Sequence, residues 1–280
     1  MKTLGIIAGS GRFPFLVAEG AVKKGYRVAI CGIEHNADSA LGSVCDAFVM
    51  LNVGKFGALI DFFKKNGVQE VCMAGAVNKP KAMDITPDLR AAGLLLRLLQ
   101  HKGDDAILRT ITEELTREGF TVIPPDSLAV GLRGDSGVLT RRAPTPEETS
   151  DIRFGLKVAR AVGALDIGQC VVVRSGIVAA VEALEGTDAA LERGGILGGA
   201  GCTAVKAFKP GQDERLDKPS IGSATVELLI KHKYACLAFE ADKTLFFDRE
   251  AAVALADKAG LTLVGFDAEG NFQREREEKR

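Results

Sequence analysis

Residues 3–9 read TLGIIAG, and from Leu4 to Ala8 no side chain is polar. A strand without a polar face has to be covered on both sides, as buried strands of parallel sheets are. The segment that follows, FPFLVAEGAVKKG, carries apolar residues at helical spacing and closes on Gly25, a residue suited to a helix C-cap. The alternation then repeats. YRVAICGI reads as a second strand, AFVMLNV as a third, KFGALIDFFKKNG as an amphipathic helix ending at Gly67, and VQEVCMAGAV as a fourth strand. Strands joined through helices by short connections predict an open parallel sheet with helices on both faces. Ligands of such sheets gather at the carboxyl ends of the strands.

The stretch DLRAAGLLLRLLQHKGDDAILRTITEELTREG is helical in pattern with a break at Gly103, and FTVIPP adds a strand stopped by Pro124 and Pro125. Residues 133–150, RGDSGVLTRRAPTPEETS, are rich in Gly, Pro, Thr and charge and are expected as a junction between a domain over 1–132 and another over 151–280. A second α/β set follows a helix near TPEETSDIRFGLKVARAVGAL. Two strand runs meet at RSG within GQCVVVRSGIVAAVEA, with a helix near TDAALERGGIL and a strand in TAVKAFKP behind them. SATVELLIKHK and REAAVALADKAG read as helices, YACLAFEA and LTLVGFD as strands. At 280 residues the chain exceeds what one core usually holds, which agrees with two domains.

A formal net charge of −1 gives bulk electrostatics no hold on nucleic acid, so no nucleic-acid partner is expected. The six cysteines (31, 45, 72, 170, 202 and 236) form no C-x-x-C pair, lie in or beside apolar runs, and are expected as small core residues of a reduced, cytoplasmic protein. No apolar run reaches the ~18–20 residues of a membrane span, and MKTLGIIAGSGRF lacks the long apolar region and cleavage site of a secretory leader.

Chemistry concentrates at a few places. Gly9-Ser10-Gly11 stands between the first strand and the first helix, where backbone N–H groups can cradle a phosphate. A dinucleotide fingerprint would place another Gly where this chain has Pro14; Glu34 after the second strand is the matching candidate for a ribose ligand, and a plain turn is the third reading. Asn78 and Lys79 follow the fourth strand and are candidate ligand contacts, against a solvated loop. Asp104 and Asp105 can N-cap the next helix or hold a divalent cation. The forks of Arg141 and Arg142 suit a phosphate, though the acidic PEE beside them suits a surface ion pair equally well. Glu185-Gly186-Thr187-Asp188 ends a strand and opens a helix, with Thr187 or Asp188 as cap or as phosphate contact. Lys206 and Lys209 lead into PGQDERLDKP, where prolines are expected to hold Gln212, Asp213, Arg215 and Asp217 extended. Fixed carboxylates beside cations and anion-binding loops fit metal-assisted phosphoryl hydrolysis. His35, His101 and His232 show no mutual spacing that supports covalent catalysis, and His232 is expected on an exposed helix surface.

The stretches LGIIAGSGRFP, AGAVNKP, PDLR, KGDDAIL, EGF, TRRAPTPEE, DIGQCVVVRSGIVAAVEALEGTD, AVKAFKPGQDERLDKPSIG and AGLTLVG run in order over nearly the whole chain. Together they resemble the UDP-2,3-diacylglucosamine diphosphatases of lipid A biosynthesis, of the LpxI type. The resemblance implies a Rossmann-like N-terminal sheet, a distinct C-terminal α/β domain and a ligand cleft between them. It implies cleavage of UDP-2,3-diacylglucosamine to UMP and 2,3-diacylglucosamine 1-phosphate (lipid X), with water attacking the sugar-side phosphorus. A divalent cation, usually Mg²⁺, assists. A homodimer associated peripherally with the cytoplasmic face of the inner membrane is implied as well. By position, Asp217 is the implied essential acid, Thr187 and Asp188 meet phosphate, and Gln212, Asp213 and Arg215 are neighbours; the metal would fall to Asp217 and Asp213, with Asp104 and Asp105 as further candidates. Two readings remain beside this one: a nucleotide-sugar or lipid-phosphate binding protein without turnover, and an NAD(P)-dependent oxidoreductase.

Overall fold

The computed structural model describes residues 1–77, 87–98, 104–129, 131–213, 215–216 and 218–272. The chain divides into two units, Met1–Gly131 together with Asp213–Leu216, and Leu132–Gln212 together with Asp217–Arg280.

In the first unit the apolar runs become strands β1 (Thr3–Ala8), β2 (Arg27–Ile33), β3 (Ala47–Leu51), β4 (Glu70–Ala74) and β5 (Thr121–Val122). They form one sheet in the order β3-β2-β1-β4-β5, every pair parallel. The order reverses between β1 and β4, so their carboxyl ends define a switch point. Helices α2 (Phe56–Lys65), α3 (Leu89–Leu98) and α4 (Asp104–Arg117) share a core with Ala29 and Cys31 of β2 and Val71 of β4, built around Phe63, Ile60 and Leu115. Successive strand residues point to opposite faces, and α1 (Phe13–Lys23) packs on β1, β2 and β4 through Val17, Ala18 and Ala21, none of which belongs to that core. Both faces are therefore covered, as the unbroken apolar runs require.

In the second unit α5 (Pro146–Ala164) precedes β7 (Cys170–Arg174), β8 (Ile177–Val181), α6 (Thr187–Gly198), β9 (Thr203–Lys206), α7 (Ser223–Lys231), β11 (Cys236–Glu240), α8 (Arg249–Ala259) and β13 (Thr262–Phe266). With β6 (Gly137–Val138) the sheet runs β6-β13-β11-β9-β7-β8: β9, β11 and β13 are parallel, while β7, β8 and β6 pair antiparallel. A separate two-strand ladder joins β10 (Ser220–Ile221) to β12 (Leu245–Phe246). Alternation sorts the sheet side chains cleanly. Val171, Val173, Val205, Ala238 and Val264 meet Ile152, Leu156 and Ala159 of α5. Val172, Ala204, Leu237 and Leu263 meet Leu191, Val226, Leu229 and Ala252 of α6–α8.

The RSG stretch is the tight turn between β7 and β8, with φ of 49° at Ser175 and 79° at Gly176. Asp151 of α5 clasps it, accepting from Gly176 N at 2.7 Å and Ser175 N at 3.0 Å. Residues 133–150 differ from the expected junction. They supply β6 to the second sheet, the N-cap Thr145 and the first turns of α5, because Thr145 and Glu148 close a reciprocal capping box there. Of the cysteines, Cys31, Cys72, Cys170, Cys202 and Cys236 are buried, Cys45 is half-buried, and all six are free thiols.

Candidate functional site

In the first unit the Gly9-Ser10-Gly11 turn leaves β1 at the switch point, but three of its polar groups are engaged by the protein itself. Gly9 N donates to Ala74 O at 2.8 Å and Ser10 N to Ala76 O at 2.7 Å. The Ser10 hydroxyl donates to the same Ala76 carbonyl at 3.0 Å. A Cβ on Gly9 would stand 2.4 Å from Ala76 O and 2.7 Å from Gly75 O, so glycine is required by the backbone that continues β4. Gly11, at φ 87° with open space beside it, turns the chain into α1. That helix begins with Pro14 in its first turn and without a side-chain cap at Arg12. Glu34 directly follows β2, half-buried. Asn78 and Lys79, expected as contacts beyond β4, lie outside the described residues.

Asp104 opens α4, with Asp105 next to it; their side chains lie outside the described residues. The described residues of 209–216 turn instead of running extended: Gln212 N donates to Lys209 O at 3.2 Å and Leu216 N to Asp213 O at 3.0 Å. Proline at 210 and glycine at 211 (φ 80°) favour that tight turn over an extended run. Leu216 packs on the core of the first unit. Asp213 and Arg215 take each other up. Arg215 Nε reaches both carboxylate oxygens at 3.0 and 3.1 Å, its Nη2 reaches Oδ2 at 2.6 Å, and its backbone N reaches Oδ1 at 3.0 Å. Those bonds hold the Asp213 carboxyl below the usual carboxylate range. Asp217 lies outside the described residues.

In the second unit the carboxyl ends of β8 and β9 and the start of α6 fall at one end of the sheet. Cys170 is the register partner of Lys206, and Glu182 N donates to Cys170 O at 2.9 Å. Burial pushes the Cys170 thiol up to about 12; the Lys206 charge opposes that shift, and Glu182 and Asp188 add to it. Lys206 is only 5% exposed and donates from Nζ to Ser220 O at 2.8 Å. Lys209 is tied to Asp166 at 2.7 Å, and Gln212 is buried.

The α6 N-cap is neither Thr187 nor Asp188 but Gly186, at φ 81° and ψ 170°, with no side-chain cap. Thr187 and Asp188 occupy the first helical turn. The Thr187 hydroxyl turns back and donates to Glu182 Oε1 at 2.8 Å. Glu182, 7% exposed, also accepts from Gln169 N on Oε2 at 3.2 Å. Glu185 pairs with Arg193 at 2.5 Å and accepts from Ala183 N at 3.2 Å. Glu182 was not singled out from the sequence; a carboxylate directly after the apolar run IVAAV is the one signal that could have found it.

Of the two readings of Arg142, the pair with the adjoining acidic PEE is the one that forms: its guanidinium bonds Glu148 at 2.5 Å, and also Ala235 O at 3.2 Å and the Thr262 hydroxyl, which ties the start of α5 to β13. His232 is not an exposed helix residue but the C-cap of α7, its side chain 13% exposed and 3.6 Å from Glu192. Histidine 101 lies outside the described residues. Among the described residues no group of three His, Cys, Asp or Glu side chains could hold a metal ion. Of the carboxylates expected to bind Mg²⁺, Asp213 alone has a described side chain, and both of its oxygens are engaged by Arg215. Among the described residues no helix is long and apolar enough to cross a membrane.

Two family models match the chain in order, the LpxI N-terminal domain over residues 3–132 and the LpxI C-terminal domain over residues 135–264. The UDP-2,3-diacylglucosamine pyrophosphatase LpxI of Caulobacter vibrioides is 38% identical over 278 residues, covering 95% of this chain and 98% of that protein. Among solved structures, the biotin carboxylase domain of a single-chain bacterial carboxylase matches 61% of this chain and 36% of its own at 16% identity and a TM-score of 0.27. N5-carboxyaminoimidazole ribonucleotide synthetase from Thermotoga maritima matches 66% and 42% at 17% identity, also with a TM-score of 0.27. The chain thus spans less than half of those two structures, and at such scores the likeness carries no argument.

Proposed function

The chain belongs to the LpxI family, and from that premise we propose that it hydrolyses the diphosphate of UDP-2,3-diacylglucosamine, giving UMP and 2,3-diacylglucosamine 1-phosphate. It is a hydrolase of a phosphorus anhydride. The observation that carries the reading is 38% identity sustained over 95% of the chain to a protein named for that activity. Water oxygen bonds to the sugar-side phosphorus, and the bridging P–O bond breaks with its electrons on UMP.

The first unit is read as Rossmann-like from its strand order β3-β2-β1-β4-β5. There the carboxyl ends of β1 and β4 are the place for a nucleotide. In the second unit the helix start at Gly186–Asp188, which has no side-chain cap, supports a role at the lipid phosphate. Asp217 is assigned the essential carboxylate and first metal ligand by its place in RLDKPSIG. A divalent cation, Mg²⁺ by preference, supplies charge neutralisation on the diphosphate when bound. Asp213 is paired with Arg215. A homodimer at the cytoplasmic face of the inner membrane completes the reading, the diacyl group of the substrate being what brings the enzyme to a lipid surface.

The test is UMP release from UDP-2,3-diacylglucosamine by the purified protein, with Mg²⁺ and with chelator, beside Asp217→Ala. Metal-dependent release that falls by about 10²-fold or more in the variant is the expected result. Full turnover by a folded Asp217→Ala protein removes that carboxylate from the chemistry. Absence of UMP under every condition, from protein that still binds the lipid, would establish the binding-protein reading instead. A rise in melting temperature with a nicotinamide nucleotide would favour the oxidoreductase.

A further inference from the structure

The hydroxyl of Thr187 has one proton to give. The carboxylate of Glu182, 7% exposed, receives it at 2.8 Å on Oε1 and receives Gln169 N–H on Oε2 at 3.2 Å. An ionised carboxylate only accepts, so the proton of Thr187 points inward and the lone pairs of its oxygen are what it has left to offer. Phosphate oxygens also only accept. The side chain of Thr187 is therefore mismatched to the phosphate contact its place at a helix start suggests, and that contact falls to the backbone N–H groups of the first turn.

We infer that Glu182 is a positioning residue that sets the polarity of Thr187, making its hydroxyl an acceptor for an O–H or N–H donor of the substrate. Such donors exist on both halves of UDP-2,3-diacylglucosamine: the hydroxyls and amide of the sugar, and the ribose and uracil of the nucleotide. The inference rests on the hydrolase reading above for the identity of the ligand. Its geometry is local to the second unit and independent of Asp217.

Glu182→Gln tests it with little change of shape. The amide oxygen keeps the bond from Gln169 N–H, and the amide N–H then faces Thr187, turning the hydroxyl proton outward. The measurement is calorimetric binding of UMP and, in detergent micelles, of 2,3-diacylglucosamine 1-phosphate, with kcat and KM for the full substrate alongside. The expected result is about tenfold weaker binding of one product. The other product stays within about twofold and the melting temperature is unchanged. The product that weakens identifies which half carries the donor. Thr187→Val should show the same loss, Thr187→Ser should restore binding, and Glu182→Gln should add nothing in the Thr187→Val background. Unchanged binding of both products in Glu182→Gln, or a loss that persists undiminished in the Thr187→Val background, overturns the inference. So does failure of the unaltered protein to bind either product. Because binding needs no turnover, a protein that binds a product without releasing UMP from substrate defeats the hydrolase reading and leaves the inference standing.

Discussion

Each unit contains a strand that ends, passes a glycine and enters a helix: Gly9–Gly11 between β1 and α1, and Gly186 between β8 and α6. On paper they are alike, and both invite a phosphate. Their surroundings differ. At the first, the backbone of residues 74–76 presses on the turn and takes up Gly9 N, Ser10 N and the Ser10 hydroxyl. At the second, nothing lies within 4 Å of a Cβ on Gly186, and the polar partner is a buried side chain, Glu182. One glycine is demanded by crowding, the other by conformation. A glycine in a sequence marks both demands identically, and only the neighbouring chain distinguishes them.

Gly9→Ala should do the most damage. Its Cβ meets backbone oxygen at 2.4 Å, which no rotamer change relieves, so a loss of more than about 3 kcal/mol is expected in urea unfolding. A Gly9→Ala protein of near-native stability that fails to bind UMP would reverse the comparison, making this glycine a ligand residue. Gly186→Ala meets no atom but must hold φ 81° and ψ 170°, a region essentially confined to glycine, at a cost of about 1–3 kcal/mol. A change below about 0.5 kcal/mol would show that the α6 start relaxes freely. Thr145→Ala, at a helix start with a full capping box and no glycine, provides the ordinary reference: about 1 kcal/mol.

The same contrast explains what could be read in advance. Strand and helix order was legible because the apolar runs of β1, β2, β7 and β11 are nearly unbroken and the helices carry a 3.6-residue period. The Ser175-Gly176 turn was legible from its residues. The two-residue strands β6, β10 and β12 were not, since so short a ladder has no period and owes its existence to β13 or to its partner strand. Arg142 was legible only in part, because Glu148 lies in the acidic stretch beside it whereas the Ala235 carbonyl and Thr262 are 93 and 120 residues away. Glu182 was missed because its meaning lies in Gln169, which meets it when β7 and β8 pair, and in Thr187, which meets it where the chain turns into α6.

The smallest predicted effect sharpens the difference between carboxylates. Glu182 is enclosed, whereas the Asp213 side chain is 30% exposed and its partner Arg215 46% exposed. Arg215 lowers the Asp213 pKa in the folded chain, so the unfolded chain binds its proton more readily as pH falls. The stabilisation is then fully present above the unfolded carboxyl value of about 4 and is lost as pH drops through the lower folded value. Solvent screening of so exposed a pair keeps the contribution small. Arg215→Ala should therefore lower the melting temperature slightly at pH 7, with the gap to the unaltered protein closing towards pH 3. A gap that widens in acid would mean that Arg215 serves another partner, and that Asp213 is more available to a cation than its pairing implies.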